Sequence, residues 1–372
     1  MRRRSRLVVF IAVLQSVLFL AHFFLYETWT FSPVSGHRAG PFWLKLALLV
    51  LSLSFVPASL LAFRYTNVFV RVFYRIAAVW IGILSFLVIA AICSWPVFGI
   101  AQMGGLRIGF HQVVEVLFSL GIISGLYGVI NASMTRVTRT TIRLANLPEA
   151  WRGRKAALIS DLHLGPVRNG GFLRRIIAKV LDEKPDAVFI AGDLYDGTAI
   201  DAASAAKPLN ELTTAPHGVY FVAGNHEQFH DESQYLRAVK SAGVRVLNNE
   251  KLEIDGLQIA GIPYAHAANP RTFTSVLRDL RPAPDRASIL LTHAPDYPEL
   301  AEAAGFSLQL SGHTHLGQFI PWSWIATRIY KQFVYGLSWI GKMQVFTSSG
   351  AGTWGPPLRL GSNPEIVVLQ FE

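Results

Sequence analysis

Five short polar clusters hold the side chains best suited to metal chemistry. They are Ser160-Asp161-Leu162-His163, Gly192-Asp193-Leu194-Tyr195-Asp196, Gly224-Asn225-His226-Glu227, Thr292-His293-Ala294 and Gly312-His313-Thr314-His315. Carboxylates, an amide oxygen and imidazoles, with no thiolate among them, suit borderline or hard divalent ions such as Mn, Fe, Zn or Mg. In an extended segment, residues two apart face the same side, so Asp161 with His163 and His313 with His315 could each offer two donors to one site. Glycines before Asp193, Asn225 and His313 permit tight turns and close approach to an anionic ligand. A lone strand-end Asp usually caps a helix and a lone His is usually a satisfied polar residue. Five clusters in register with five strand ends are not explained that way. Asp196 and Glu227 suit a cap, a turn or support of a ligand better than direct ligation.

Each cluster follows a short apolar, β-branched run: Ala156–Ser160, Ala187–Ala191, Val219–Ala223, Ser288–Thr292 and Ser307–Ser311. These runs read as buried strands. Phe172–Glu183 and Ser233–Ala242 carry helical spacing between them. Alternation of strand and helix argues for an α/β domain with its site at the carboxyl ends of the strands.

The N-terminal third has a different composition. Four apolar stretches, roughly Leu7–Tyr26, Phe42–Phe63, Ile76–Val97 and Val113–Ala132, each approach the ~20 residues that cross a bilayer core as a helix. The chain's net charge of +10 is concentrated here. Residues 1–145 hold 13 Lys/Arg against Glu27 and Glu115, leaving 21 basic and 22 acidic residues beyond. That distribution is a membrane-topology signal rather than a nucleic-acid face. Arg2, Arg3, Arg4 and Arg6 precede the first span, Arg64, Arg71 and Arg75 separate the second and third, and Arg136, Arg139 and Arg143 follow the fourth. The other two loops offer only Arg38 and Arg107, so both termini and the large C-terminal portion are expected in the cytosol. No small-residue cleavage site follows the first stretch, which reads as a retained span. Cys93, the single cysteine, lies in an apolar run and reads as a small buried hydrophobe.

From about Lys155 onward the chain resembles the calcineurin-like metallophosphoesterase superfamily. The pattern D-x-H, GD, GNH, a later H and GHxH appears in order at Asp161/His163, Asp193, Asn225/His226, His293 and His313/His315. The four spans, Ser311–His315 and Ser348-Ser349-Gly350 resemble its YkuE-like and transmembrane branch. The resemblance implies an α/β sandwich of two sheets flanked by helices, and two divalent metal ions. It gives Asp161, His163 and His315 to one ion, Asn225, His293 and His313 to the other, and Asp193 to both. It implies that His226 contacts the phosphate and assists the leaving group. Leu316 departs from the branch, which often has glycine after GHxH.

The organisation expected is a transmembrane anchor over residues 1–134, a juxtamembrane linker or strand over 135–154, and the phosphoesterase domain over 155–372. The expected activity is cleavage of phosphoester or pyrophosphate bonds by hydroxide generated at a metal pair. Its phosphorylated substrate could be lipid-linked, and some members of this branch act on UDP-diacylglucosamine. The location expected is the cell (inner) membrane. A non-catalytic scaffold or sensor that binds a phosphorylated ligand is the alternative, and nucleic acid is disfavoured by the neutral charge balance. Pro321–Ile340, with Trp322, Trp324, Tyr330, Phe333, Tyr335 and Trp339, is either ordinary packing over the sheet or a lip that meets membrane lipids. His22, His37, His111, His217, His230 and His266 read as structural or surface residues. Arg359 is left between a phosphate contact and a surface salt bridge.

Overall fold

The computed structural model describes the backbone of residues 2–33, 36–37 and 40–372, and the side chains of residues 8–33 and 40–372. The side chains of Arg2, Arg3, Arg4, Arg6 and His37, and all of Arg38, lie outside the described residues. Two compact units divide the chain: residues 1–130 with Gly355–Leu358, and residues 131–354 with 359–372.

The first unit contains helices α1 (Arg2–Thr30), α2 (Phe42–Ala62), α3 (Val68–Met103) and α4 (Phe110–Asn131), with a short ribbon of β1 (Phe31–Ser32) and β2 (Gly36–His37). All four helices are long and apolar enough to cross a membrane. Such runs form helices in lipid because only an internally hydrogen-bonded backbone is tolerated there. At 36 residues, α3 rises about 54 Å at 1.5 Å per residue, well beyond the span Ile76–Val97 expected for it. Asn67 caps it, accepting from the Val70 amide at 3.0 Å. Gly121 and Gly125 let α4 approach α3 closely, since a Cβ on Gly125 would stand 2.9 Å from Ile83. His22 is buried, its Nδ1 2.7 Å from the Leu18 carbonyl and its Nε2 accepting from Trp80 at 2.9 Å. Both ring nitrogens are thus used in packing.

The second unit is built on two six-stranded sheets. One has the order β3 (Arg136–Ile142), β14 (Glu365–Phe371), β4 (Lys155–Ile159), β5 (Ala187–Ala191), β6 (Val219–Val222), β7 (Arg245–Val246). The other has the order β12 (Gly336–Ile340), β13 (Met343–Thr347), β11 (Leu308–Ser311), β10 (Ser288–Thr292), β9 (Leu257–Ile262), β8 (Glu250–Ile254). Strands β4 to β7 run parallel, as do β9, β10, β11 and β13. Alternate residues of each strand face opposite layers. Leu158, Phe189, Ile289, Leu291, Leu308 and Leu310 meet between the sheets. Ile159, Ile190 and Phe221 pack outward against α5 (Gly170–Asp182), α6 (Ala202–Ala206) and α7 (Glu232–Ser241). On the far side, Leu290 and Val345 share a core with α9 (Pro270–Asp279) and α10 (Pro298–Ala304), which follow the short α8 (Tyr264–Ala267). The result is the two-sheet sandwich flanked by helices, and both faces of the parallel strands are covered.

Part of the segment from 135 to 154 lies inside this sandwich. Arg136–Ile142 forms β3, parallel to β14 across seven register pairs from Arg136↔Glu365 to Ile142↔Phe371. Trp151 is fully buried, donates from Nε1 to the Ile254 carbonyl at 2.8 Å and meets Phe371 edge-on. The second compact unit thus includes β3 and Trp151 as well as the residues from Lys155 onward.

Candidate metal centre

Parallel strands deliver their carboxyl ends to one rim, and there both sheets contribute donors. Asp161 and His163 follow β4, Asp193 follows β5, and Asn225 with His226 follows β6; His293 follows β10, and His313 with His315 follows β11. The loops are stitched together by their backbones. Asp161 N donates to Gly192 O at 3.1 Å, His163 N to Asp193 O at 3.0 Å and Gly312 N to His293 O at 2.8 Å. The turn Ser348-Ser349-Gly350 closes beneath them, with Ala351 N and Gly352 N donating to the carbonyls of Ser160 and Asp161, each at 2.9 Å.

The pairs two residues apart do converge, though not through an extended backbone. Asp161, His163, Asp193, His313 and His315 have φ of 54°, 49°, 50°, 71° and 50°. This left-handed region costs non-glycine residues about 1 kcal/mol or more each, and such strain clusters where a site dictates side-chain direction. Leu316 joins them at φ 48° and ψ 34°, the conformation that explains why glycine suits that position. Gly192, at φ 81°, has no room for a side chain: a Cβ would lie 2.6 Å from His293 Nδ1.

The donors gather in two sets with no residue in common, and a third group, His163, Asp196 and His226, shares His163 with the first. Asp161, His163 and His315 form one, with His163 Nε2 3.1 Å from His315 Nε2 and Asp161 Oδ1 3.5 Å from His315 Nε2. Asp193, His293 and His313 form the other, with His313 Nδ1 3.0 Å from His293 Nε2 and Asn225 Oδ1 3.1 Å from the same nitrogen. Asp193 Oδ2 stands 3.2 Å from His293 Nε2 and 3.7 Å from His163 Nε2, so one carboxylate oxygen faces both. All the residues named for metal binding are thus brought together. Imidazole nitrogens turned toward one another at this range, buried beside carboxylates, are the chemistry of divalent-cation ligands.

Electrostatics point the same way. Burial lowers His163, and lowers His313 to about 3 and His315 well below the ordinary imidazole value, so their lone pairs are available. Burial raises Asp161, with His293 opposing. Asp193 is held well below the carboxylate range despite burial, because His293 stands against it. His293 in turn is raised to about 10, the Asp193 carboxylate outweighing burial. That ion pair is what an internal cation would replace.

A supporting layer orients these side chains. Glu227 is fully buried and accepts the amides of Gly224 at 2.7 Å, Asp193 at 3.0 Å and Tyr195 at 3.1 Å, tying two ligand loops together. Burial and the Asp193 charge push it up to about 7. Asp193 Oδ1 accepts the His226 amide at 2.9 Å, and Asp161 accepts the His313 amide at 3.0 Å. Asp196 Oδ1 lies 3.5 Å from His163 Nδ1, and its carbonyl lies 2.8 Å from His226 Nδ1. Arg359 is no surface salt bridge: fully buried, it donates to the carbonyls of His315 at 2.8 Å, Ser349 at 2.7 Å and Gly352 at 2.7 Å. Sequence reasoning did not assign the aromatic rim. Phe229 and Trp354 meet His226 at ring distances of 4.5 and 5.8 Å, and Tyr264 and Tyr330 meet His313 at 5.5 and 6.1 Å. For Phe229 a signal existed, three residues beyond His226; Trp354, in a distant loop, and Tyr264, at the start of α8, had none.

Comparison with known proteins agrees with this geometry. A family model for calcineurin-like phosphoesterases matches residues 154–317, which include all eight residues named above for metal binding and catalysis. An uncharacterized metallophosphoesterase of Campylobacter jejuni is 31% identical over 280 residues, covering 73% of this chain and 74% of that protein. The chain belongs to the calcineurin-like phosphoesterase family. It is a metal-dependent phosphoesterase that acts on a phosphorylated substrate, and its four apolar helices make it a membrane protein. Among similar phosphoesterases, a transmembrane protein with a metallophosphoesterase domain from Danio rerio is 32% identical over 274 residues, 69% of this chain and 62% of that one. The uncharacterized metallophosphoesterase YkuE of Bacillus subtilis is 31% identical over 250 residues, 64% and 86% of the two chains.

Proposed function

We propose that Asp161, His163 and His315 hold one divalent cation, that Asn225, His293 and His313 hold a second, and that Asp193 serves both. The observation that carries this reading is the position of Asp193 Oδ2, within 3.7 Å of a histidine from each set. Nitrogen and oxygen donors suit Mn, Fe, Zn or Mg. When bound, such a pair supplies positive charge against the ester oxygens and acidifies water.

The chain's own residues divide the remaining work. His226 Nδ1, as N–H, donates to the Asp196 carbonyl at 2.8 Å, which fixes the ring and leaves Nε2, 4.0 Å from Asp193 Oδ2, toward the site. Burial disfavours the imidazolium, so with its hydrogen on Nδ1 the ring would take a proton from the attacking water at Nε2 and pass it from there to the departing oxygen. Glu227 and Arg359 hold the ligand loops, and Phe229 and Trp354 flank the His226 side of the mouth.

The reaction is hydrolysis of a phosphoester or pyrophosphate bond, on a substrate borne by lipid. Tethering confines the site to a thin layer and raises its encounter with lipid-linked phosphates. UDP-diacylglucosamine is the candidate that the family resemblance brings. Arg64 between α2 and α3 and Arg71 and Arg75 in the first two turns of α3, with Arg136, Arg139 and Arg143 after α4, support an inner-membrane protein with its hydrolase in the cytosol. Asp193→Ala or His313→Ala should abolish Mn-stimulated hydrolysis of bis(p-nitrophenyl) phosphate by the full chain, and unaltered turnover would defeat the proposal. A C-terminal reporter active only outside the cytosol would overturn the orientation.

A further inference from the structure

The hydrolase unit buries its apolar residues well except in one region. Ten of its large apolar side chains are exposed among the described residues, and seven of these lie between Trp322 and Trp339. Two more, Phe229 and Trp354, stand beside His226. Contiguous exposed apolar surface of this kind marks an interaction site.

Helix α11 (Trp322–Tyr330) is the centre of the patch, and none of its residues is buried. Trp322, Ile325 and Ile329 recur at helical spacing on one face, while Trp324 is 66% and Ile329 64% exposed. Beyond it, β12 is an edge strand that pairs only with β13, and its alternate residues Leu337 and Trp339 are exposed.

Charge identifies the occupant. No acidic residue occurs between Glu302 and Glu365, whereas Arg328, Lys331 and Lys342 are all exposed. Exposed tryptophan and isoleucine with flanking Lys and Arg are the composition of a helix lying in a lipid interface. Cations beside such a patch attract anionic headgroups. The same chain carries four helices long and apolar enough to cross a membrane, which favours lipid over a protein partner as the occupant.

The patch also borders the metal centre. Gly317, two residues after His315, packs so tightly on α11 that a Cβ there would overlap the Ser323 backbone. Thr314, between His313 and His315, donates to the Val334 carbonyl at 2.7 Å, just past the helix. Gln318 donates to the Trp354 carbonyl at 3.1 Å and accepts the Trp354 amide at 2.6 Å, linking the loop before α11 to the rim beside His226.

We infer that α11 and the β12 edge form a docking surface for an anionic lipid bilayer, which seats the mouth of the metal centre at the headgroup layer. The inference deepens the reading of a lipid-borne substrate, but its test does not depend on turnover. The full chain with Cys93→Ser and Ile329→Cys is labelled with an environment-sensitive dye and placed in nanodiscs of phosphatidylcholine and phosphatidylglycerol with brominated acyl chains. A Lys240→Cys label on α7 serves as the control. The Ile329 label should be blue-shifted and quenched several-fold more than the control. Arg328→Glu with Lys331→Glu and Lys342→Glu should reduce that quenching several-fold, with hydrolysis of bis(p-nitrophenyl) phosphate in detergent unchanged. Quenching no greater than at Lys240 overturns the inference, as does a blue shift without quenching, which would mean that protein or a second copy covers the helix. Quenching that survives the charge reversal overturns the choice of an anionic surface. Lipid-dependent quenching in a chain that hydrolyses nothing would leave the docking surface standing and sink the catalytic reading alone.

Discussion

Glu227→Gln changes a single atom in a side chain that reaches the proposed metal ligands only through the backbone amide of Asp193, yet it should weaken the whole centre. In the native loop, Oε2 accepts the amides of Asp193 and Gly224 at 3.0 and 2.7 Å, and Oε1 accepts that of Tyr195 at 3.1 Å. Glutamine can keep its oxygen toward the first two, but its NH2 group then opposes the Tyr195 N–H. Above about pH 7, where the native carboxyl is ionised, one bond to a charged acceptor is lost, at about 1.5–3 kcal/mol, and the two retained bonds lose their charge assistance. The backbone these bonds hold includes Asp193 at φ 50°, which would otherwise relax from the left-handed region. Apparent metal affinity or kcat should fall roughly 10–100-fold. The assay is a Mn titration of bis(p-nitrophenyl) phosphate hydrolysis by the full chain, with far-UV circular dichroism to establish that the variant is folded. A folded variant with the native metal midpoint and native kcat would refute the reasoning.

Three further outcomes follow from the same geometry. Gly224→Ala places a Cβ on the Asp193 carboxylate and amide, so hydrolysis should fall by about 100-fold or more, as removal of a ligand-orienting group does at its upper range. At Leu316, φ 48° excludes β-branched side chains; Leu316→Val should cost about 1–2 kcal/mol in a thermal melt, while Leu316→Gly keeps full activity. Trp151→Ala removes a fully buried indole between the sheets and should destabilise the hydrolase unit by about 3–5 kcal/mol in denaturant titration.

What was legible in the sequence was local. Ala187–Ala191 and Ser288–Thr292 are strands β5 and β10 to the residue, and α5 and α7 lie within two residues of Phe172–Glu183 and Ser233–Ala242. These segments carry their own signal, because burial on both faces demands continuous apolar runs. Pairing between distant segments left no such mark. β3 is polar and basic, and only its register against β14, more than 220 residues away, makes it a strand. The ligands' identities were readable from their types and order. The left-handed backbone that aims them was not, since the modest enrichment of Asp and His there marks no particular position and Leu has none. Arg359 shows the same limit: an arginine in the stretch Pro357-Leu358-Arg359-Leu360-Gly361 reads as a loop residue until the loops fold around it.

The most direct test of the account is the metal content of the folded full chain. After equilibration with Mn and removal of free metal, inductively coupled plasma analysis should give about two equivalents per chain, and electron paramagnetic resonance should show the exchange-coupled signal of a pair sharing one carboxylate. Asp193→Asn should lose that coupling. A well-folded native chain that retains no metal, or only isolated uncoupled ions, would contradict the account.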